Sequence, residues 1–208
     1  MHDPNARTLN AYAQHVEDYL RNTPSGYTDK HEPLLRWLDS ITEHAVQKAR
    51  LFEVGSATGR EARYLRSKGL SVHCSDAVEG FVEHLRQIGE HDAVLFNLLE
   101  DELPSKDYDA VLANAVLPHF TEDDVSATLR KMFTSLNTGG IFAFSVKQGS
   151  GEAWVDEKFG DKRYIHYWQP EMLYDFAVSH GYEVMYLENG TAGDIPTHIW
   201  INVVLRKP

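Results

Sequence analysis

A short turn rich in small residues is the part of this sequence best suited to contacting a ligand. Residues 51–54 (LFEV) predict a buried strand, and residues 55–59 (GSATG) follow it directly. Glycine or alanine at positions 55, 57 and 59 lets the chain turn sharply and exposes main-chain atoms to a bound molecule. A turn of this kind between a strand and a helix predicts a site for a nucleoside cofactor.

The glycine spacing separates three kinds of cofactor loop. A phosphate-binding loop requires Gly-x-x-x-x-Gly-Lys-Ser/Thr, which the residues after Gly55 do not provide. The dinucleotide fingerprint Gly-x-Gly-x-x-Gly needs its last glycine at the sixth position, whereas Gly59 is at the fifth. An NAD-dependent oxidoreductase is therefore disfavoured, and the motif that remains is acid-x-Gly-x-small-x-Gly, beginning at Glu53.

An acid at the end of the next predicted strand extends this pattern. Residues 70–75 lean apolar and lead to Asp76, seventeen residues beyond Gly59. In nucleoside-binding α/β folds an acid at this place accepts hydrogen bonds from ribose hydroxyls. The alternative is that Asp76 caps the following helix. Because strand, turn, helix, strand and acid occur in the expected order, we predict ribose binding.

These motifs resemble those of the class I S-adenosylmethionine (SAM)-dependent methyltransferases, although Ala57 stands where that family usually has glycine. The resemblance covers roughly residues 30–208 and implies SAM as cofactor and S-adenosylhomocysteine (SAH) as product. It implies that Glu53 and Gly55 hold the amino-acid end of SAM and Asp76 the ribose. Asn97, where the family usually has Asp, and the Leu98 amide would hold the adenine. The predicted cofactor-binding residues are Tyr19, Glu53, Gly55, Ser56, Ala57, Gly59, Arg60, Asp76, Ala77, Asn97, Leu98, Asn114 and Ala115.

The end of the fourth predicted strand narrows the chemistry. Family members that methylate amino groups of nucleobases or glutamine often carry Asn/Asp-Pro-Pro-Tyr/Phe there, whereas residues 114–119 read NAVLPH. Pyrimidine C5 methylation of the common type uses a cysteine nucleophile, and Cys74 lies on the wrong strand to provide one. The resemblance therefore implies transfer of a methyl group to an O, N or S atom of a small molecule.

His119, Arg163 and Tyr167 are the candidate catalytic residues. An imidazole can take a proton from a hydroxyl or amine near neutral pH, so His119 is the candidate base. A structural role for His119 is the alternative, because methyl transfer depends mainly on proximity and in-line orientation. Arg163 and Tyr167 belong to an aromatic cluster suited to a small-molecule pocket, where Arg163 could clamp a carboxylate or phosphate. The alternative is that the cluster packs along an edge strand, with Arg163 paired to a surface acid.

Two other functions remain open. The residues from Arg163 to Tyr167 read Arg-Tyr-x-x-Tyr, which is similar to wobble-uridine tRNA methyltransferases that esterify a carboxylate. A SAM-binding fold can also persist as a scaffold that performs no catalysis. Retention of the glycine turn, the ribose acid and the polar fourth-strand loop favours an enzyme.

The elements that must position these residues predict one α/β domain. Apolar runs alternating with amphipathic helices indicate a parallel sheet covered on both faces. Runs near 183–187 and 198–205 follow each other closely and predict a hairpin. We therefore predict a doubly wound, mostly parallel seven-stranded sheet with a C-terminal antiparallel hairpin. An apolar stripe over residues 9–20 and a helix from Pro33 predict N-terminal helices (residues 1–48) before the Rossmann-like domain (49–208). The resemblance implies that the first helix lies over the cofactor as a lid, with at least one of Tyr12 and Tyr19 facing the sulfonium. The alternative is that both helices simply pack on the sheet edge.

Composition limits the partners. Thirty-one acidic residues against 20 basic ones give a net charge of −11, which makes nucleic acid an unlikely substrate. The sequence contains neither a signal segment nor an apolar run long enough to cross a bilayer, and it has a single cysteine. We expect a soluble, cytoplasmic monomer or homodimer that binds a small-molecule acceptor and no metal.

Overall fold

The computed structural model describes residues 3–23, 26–28, 31–158, 160–191 and 199–208. The helices are α1 (Pro4–Gln14), α2 (Val16–Asn22), α3 (Glu32–His44), α4 (Arg60–Ser67), α5 (Glu79–Gln87), α6 (Glu122–Ser135) and α7 (Pro170–Ser179). The strands are β1 (Arg50–Val54), β2 (Ser71–Asp76), β3 (Val94–Leu95), β4 (Ala110–Ala113), β5 (Ile141–Gln148), β6 (Glu152–Val155), β7 (Arg163–Trp168), β8 (Glu183–Thr191) and β9 (Ile199–Arg206).

The central sheet confirms the predicted α/β fold class. Strands β3, β2, β1, β4 and β5 lie side by side and run parallel. β9 joins the free side of β5 in antiparallel orientation, and β8 pairs with β9, which gives the predicted C-terminal hairpin. His198, the first residue of that predicted hairpin's second strand, lies outside the described residues.

The sheet has nine strands instead of seven because the chain forms a second hairpin after β5. β6 and β7 pair antiparallel, and the end of β7 pairs with Lys147 and Gln148, where β5 extends beyond β4. Sequence analysis placed an aromatic cluster suited to a small-molecule pocket in this stretch. Tyr164 and Trp168 of β7 are buried, as the edge-strand alternative held.

Alternating side chains of the parallel strands build a core on each face of the sheet. Leu51 and Leu112 belong to one apolar cluster, and Phe52 and Val111 belong to the other. Because successive side chains of a strand point to opposite faces, strands apolar throughout require cover on both sides. The sheet is therefore rigidly held, and the carboxyl ends of its strands are fixed relative to one another.

The N-terminal stripe forms two helices instead of the one that its spacing predicted. The helical conformation is interrupted at His15, whose backbone angles (φ −125°, ψ 26°) separate α1 from α2. α1 packs on β7, where the backbone N–H of Tyr164 donates to the Thr8 hydroxyl at 3.0 Å. The His15 ring and the Asp161 carboxylate are 2.8 Å apart. The two N-terminal helices are thus fastened to the β6–β7 hairpin. Every helix in the described parts of the chain is too short or too polar to cross a membrane.

Candidate cofactor and acceptor site

A cleft opens at the carboxyl ends of the parallel strands, beneath α1 and α2. It comprises a cavity of about 550 Å³ and an adjoining pocket of about 150 Å³. Both are lined by Tyr19, Gly55, Ala57, Asn114, Ala115 and Trp200. The carboxyl edge is where open α/β sheets bind their ligands.

The turn after β1 has a left-handed backbone conformation that favours glycine. Gly55, Ala57 and Gly59 all have positive φ, at 73°, 43° and 66°. A Cβ on Gly55 would lie 2.7 Å from Cγ2 of Val116, so a side chain does not fit there. Gly59 is the N-cap of α4 and does not line the cleft. The turn therefore presents bare main chain to the cleft at Gly55 and Ala57.

Glu53 is a buried acid at the floor of the smaller pocket. Its Oε2 has no hydrogen-bond partner among the described residues. Burial, together with repulsion from the neighbouring Glu61 carboxylate, raises the pKa of Glu53 to about 8. Glu61 itself is bound by Arg60, whose Nη2 donates to Oε1 at 2.8 Å. Because Oε2 of Glu53 has no partner among the described residues, a positively charged ligand group would supply one.

Asp76 ends β2 and is held by main-chain donors. Its Oδ2 accepts from the Ala57 N–H at 3.1 Å, and its Oδ1 accepts from the Val78 N–H at 3.0 Å. Burial raises the pKa of Asp76 to about 6, and these amide bonds oppose the rise. The N-cap of α5 is Val78, so Asp76 is not the cap residue. Its carboxylate lines the larger cavity together with Ala77, in the position predicted for a ribose acid.

The predicted adenine-binding residues line the same cavity. Asn97 accepts the Leu99 N–H at Oδ1 (3.1 Å), and its Nδ2 donates to Asn5 of α1 at 3.3 Å. Apolar surface around it comes from Phe81, Phe96 and Leu98. Apolar surface beside a polar amide suits a purine ring.

A hydrogen-bond network fixes the end of β4. Ser145 accepts the Ala115 N–H at 2.8 Å and donates to Oδ1 of Asn114 at 2.8 Å. Nδ2 of Asn114 donates to Oε1 of Glu61 at 3.1 Å. Ala115 adopts a positive φ of 58°. Asn114 is thus held from both sides where the two parts of the cleft meet.

His119, Tyr12 and Arg163 form a directed chain of hydrogen bonds. A carbonyl can only accept, so Nδ1 of His119 donates to the Tyr164 carbonyl at 2.8 Å, and Nε2 accepts from the Tyr12 hydroxyl at 3.1 Å. The Tyr12 oxygen accepts in turn from Nη1 of Arg163 at 3.0 Å. Burial, together with repulsion from the nearby cations, lowers the pKa of His119 to about 3. His119 is therefore neutral, and its basic nitrogen is occupied by Tyr12.

Most of the predicted site residues meet in this cleft. Tyr167 does not line it; its side chain is half-buried on β7, opposite Lys147 of β5. Its predicted role, like that of Gly59, stays a prediction. The described part of the chain brings no three His, Cys, Asp or Glu side chains together as a metal site would. Lining residues that were not among the predicted site residues include Asn5, Thr8, Phe81, Lys147, Lys158 and Trp200.

Two of these residues could have been predicted from the rule that open α/β sheets bind ligands at the carboxyl edge of their parallel strands. Lys147 lies near the carboxyl end of β5, and Trp200 lies near the start of the antiparallel β9, so both reach the same edge of the sheet. Lys158, between β6 and β7, depends on a hairpin that the sequence analysis did not predict.

Comparisons with known proteins agree with this geometry. Residues 52–142 match the model of a family described as "Methyltransferase domain". The malonyl-[acyl-carrier protein] O-methyltransferase of Acetivibrio thermocellus is 29% identical over 146 residues, which are 68% of this chain and 46% of that protein. The match thus spans just under half the length of that curated relative.

Two solved structures show the likeness of fold. The 1,6-didemethyltoxoflavin-N1-methyltransferase of Burkholderia thailandensis, bound to 1,6-didemethyltoxoflavin and SAH, has a TM-score of 0.74 at 19% identity and covers 97% of this chain and 88% of that one. The magnesium protoporphyrin IX methyltransferase of Synechocystis PCC 6803, bound to SAM, has a TM-score of 0.70 at 14% identity. That match covers 99% of this chain and 98% of the other. The resemblance that the motif at residues 53–59 indicated is thereby confirmed: residues 52–142 match a methyltransferase domain family, and the chain has the fold of these SAM-dependent methyltransferases.

Proposed function

We propose that this chain is an enzyme that transfers a methyl group from SAM to an O, N or S atom of a small molecule. The observation that carries the proposal is the cleft that brings the glycine turn, Glu53 and Asp76 together. The part of the cleft around these residues would suit a nucleoside with a charged tail. The rest of the larger cavity leaves room for an acceptor. The cavity volume of about 550 Å³ lies within the range of small-molecule sites.

The residues of the cleft fit SAM at three points. The Glu53 oxygen that lacks a partner among the described residues would receive the ammonium of the methionine portion. The bare backbone at Gly55 would lie against the chain of that portion, because Gly55 lines both parts of the cleft and carries no side chain. Asp76 would receive the ribose hydroxyls. When bound, SAM would supply a methyl group activated by its positively charged sulfur.

The enclosure of the site would exclude water and orient the acceptor. Tyr12 and Tyr19, from α1 and α2, line the cavity opposite the sheet, and aromatic faces attract cations such as a sulfonium. His119 would act mainly by holding Tyr12 in place. A proton leaving the acceptor would reach His119 only through the Tyr12 hydroxyl, since that hydroxyl occupies Nε2. Proximity and in-line orientation would supply most of the rate.

Calorimetric titration with SAM, SAH and NAD tests this proposal. We expect micromolar binding of SAM and SAH and none of NAD. Asp76→Ala removes two acceptor atoms for the ribose and should weaken SAM binding about 100-fold or more, because hydrogen bonds to charged groups contribute about 1.5–3 kcal/mol each.

Asp175→Ala is the matched control, because Asp175 is exposed on α7 and does not line the cleft. Failure of both SAM and SAH to bind would overturn the proposal. SAM binding without turnover of any acceptor would favour a scaffold.

A further inference from the structure

Three cationic side chains line the larger cavity, and their segments lie toward the β5 and β7 end of the sheet, with β1 and β4 between them and the β2 strand that carries Asp76. Lys147 comes from β5, Lys158 from the connection between β6 and β7, and Arg163 from the start of β7. Arg163 is buried, Lys147 is half-buried, and Lys158 is exposed as a whole residue although its ammonium reaches the cavity.

Aromatic rings position all three cations. The Lys158 ammonium lies 3.8 Å from the centroid of the Tyr19 ring, and the Arg163 guanidinium lies 5.5 Å from that of Tyr12. The Lys147 ammonium lies 5.8 Å from the Trp200 ring. Rings fix the direction of a cation without cancelling its charge. The cluster is therefore arranged to present positive charge to the cavity.

The charge balance of the lining differs from that of the chain. The chain carries a net charge of −11, yet the described acids that line this cavity are Asp76 and Glu157. Asp76 stands at the cofactor end, on main-chain donors. Glu157 can balance one of the three cations, which leaves a surplus of positive charge at this end.

Mutual repulsion within the cluster agrees with an anionic ligand. Desolvation lowers the pKa of Lys147, and Arg163 lowers it further. The pKa of Lys158 falls to about 7 through desolvation of its ammonium, with repulsion from Arg163 and Lys147 in addition. Like charges gathered in a poorly hydrated space destabilise one another unless an anion joins them.

We propose that the methyl acceptor carries a carboxylate or phosphate group that binds between Lys147, Lys158 and Arg163. This rests on the proposed function, because it assigns the part of the larger cavity around these three cations to the acceptor. A guanidinium presents a fork that matches two oxygens of such a group, and the two ammonium groups add point charges around it. The cluster would hold the acceptor by its anionic end, with the rest of the molecule directed toward Asn114.

Calorimetric titration of the SAH-saturated protein with malonate, inorganic phosphate and malonamide tests the proposal. Malonamide has nearly the shape of malonate and no charge. We expect malonate or phosphate to bind at least about 10-fold more tightly than malonamide, since hydrogen bonds to charged groups are the stronger class. Lys147→Gln and Lys158→Gln should each weaken anion binding about 10-fold, and Arg163→Gln should weaken it more.

Lys106→Gln is the control, with the same change of charge at an exposed site before β4, at the opposite edge of the sheet. Because Arg163 also supports Tyr12, the two lysine variants decide the outcome if Arg163→Gln fails to fold. Equal binding of malonate and malonamide would overturn the proposal. So would anion affinity that is unchanged in both lysine variants, or no detectable binding of either anion at a concentration of about 10 mM. SAH affinity measured on the same samples separates this failure from failure of the proposed function.

Discussion

The two ends of the cleft are built differently. The cofactor end is formed mainly by main-chain atoms: the turn at residues 55–59 exposes its backbone, and backbone amides hold the Asp76 carboxylate. At the other end, side chains from distant segments meet, as Tyr12 and Arg163 do across 151 positions of sequence. The cofactor end follows from the parallel sheet common to the fold, whereas the other end depends on contacts between segments distant in sequence. If the proposed function holds, substrate choice would therefore reside in α1, α2 and the β6–β7 hairpin.

Substitution of Gly55 by alanine should break the cofactor end most severely. The positive φ of 73° strains any other residue, and the added Cβ would lie 2.7 Å from Val116. Backbone strain of this kind costs about 1–3 kcal/mol, and with the steric contact we expect SAM affinity to fall about 100-fold in calorimetry. Gly26→Ala is the control, because a Cβ there meets nothing within 4 Å. Near-normal SAM binding by Gly55→Ala would show that the turn does not contact the cofactor.

Removal of the Tyr12 hydroxyl should affect stability more than cofactor affinity. In Tyr12→Phe, Nε2 of buried His119 loses its donor and Nη1 of Arg163 loses its acceptor. Unsatisfied buried groups cost about 1–3 kcal/mol, so the free energy of unfolding in urea should fall by about 2 kcal/mol. Tyr174→Phe, at an exposed tyrosine of α7, should change it little. A large loss of SAM affinity with an unchanged free energy of unfolding would contradict the distinction between the cofactor end of the cleft and the other end.

Glu53 should make stability depend on pH. Its folded-state pKa is raised to about 8 by burial, above the value of about 4.3 for an unfolded glutamate. The neutral acid is favoured by folding, so its contribution is fully present below about pH 4.3 and is lost as pH rises through about 8. Glu53→Gln should flatten the stability profile over that window and weaken SAM binding about 10-fold through loss of the ammonium partner. A profile identical to wild type would show that Glu53 is not perturbed.

The smallest effect is expected at the contact between His15 and Asp161. Both groups are partly exposed, and their atoms are 2.8 Å apart. Exposed pairs contribute about 0–1 kcal/mol, so Asp161→Asn should lower the free energy of unfolding by less than about 1 kcal/mol. Asp123→Asn, at an exposed acid of α6, gives the baseline. A loss well above 1 kcal/mol would mean that this contact, more than the packing of α1, holds the N-terminal helices to the hairpin.

The same contrast explains what the sequence could predict. The parallel core was predicted because strands buried on both faces appear in the sequence as continuous apolar runs. The motif at residues 53–59 was recognised because its residues are adjacent in the sequence. Hairpin β6–β7 was missed because its strands mix charged and aromatic residues. Lys158 and Trp200 were missed because their roles depend on contacts between remote segments. Local chemistry located the cofactor end, and tertiary packing determined the other.

A crystal structure of the protein with SAH bound would test the central claim most directly. The account predicts ribose hydroxyls within hydrogen-bonding distance of Asp76, the ammonium beside Glu53, and the space between Lys147, Lys158 and Arg163 left clear of SAH. The adenosine placed among those three cations, or the ribose away from Asp76, would contradict it.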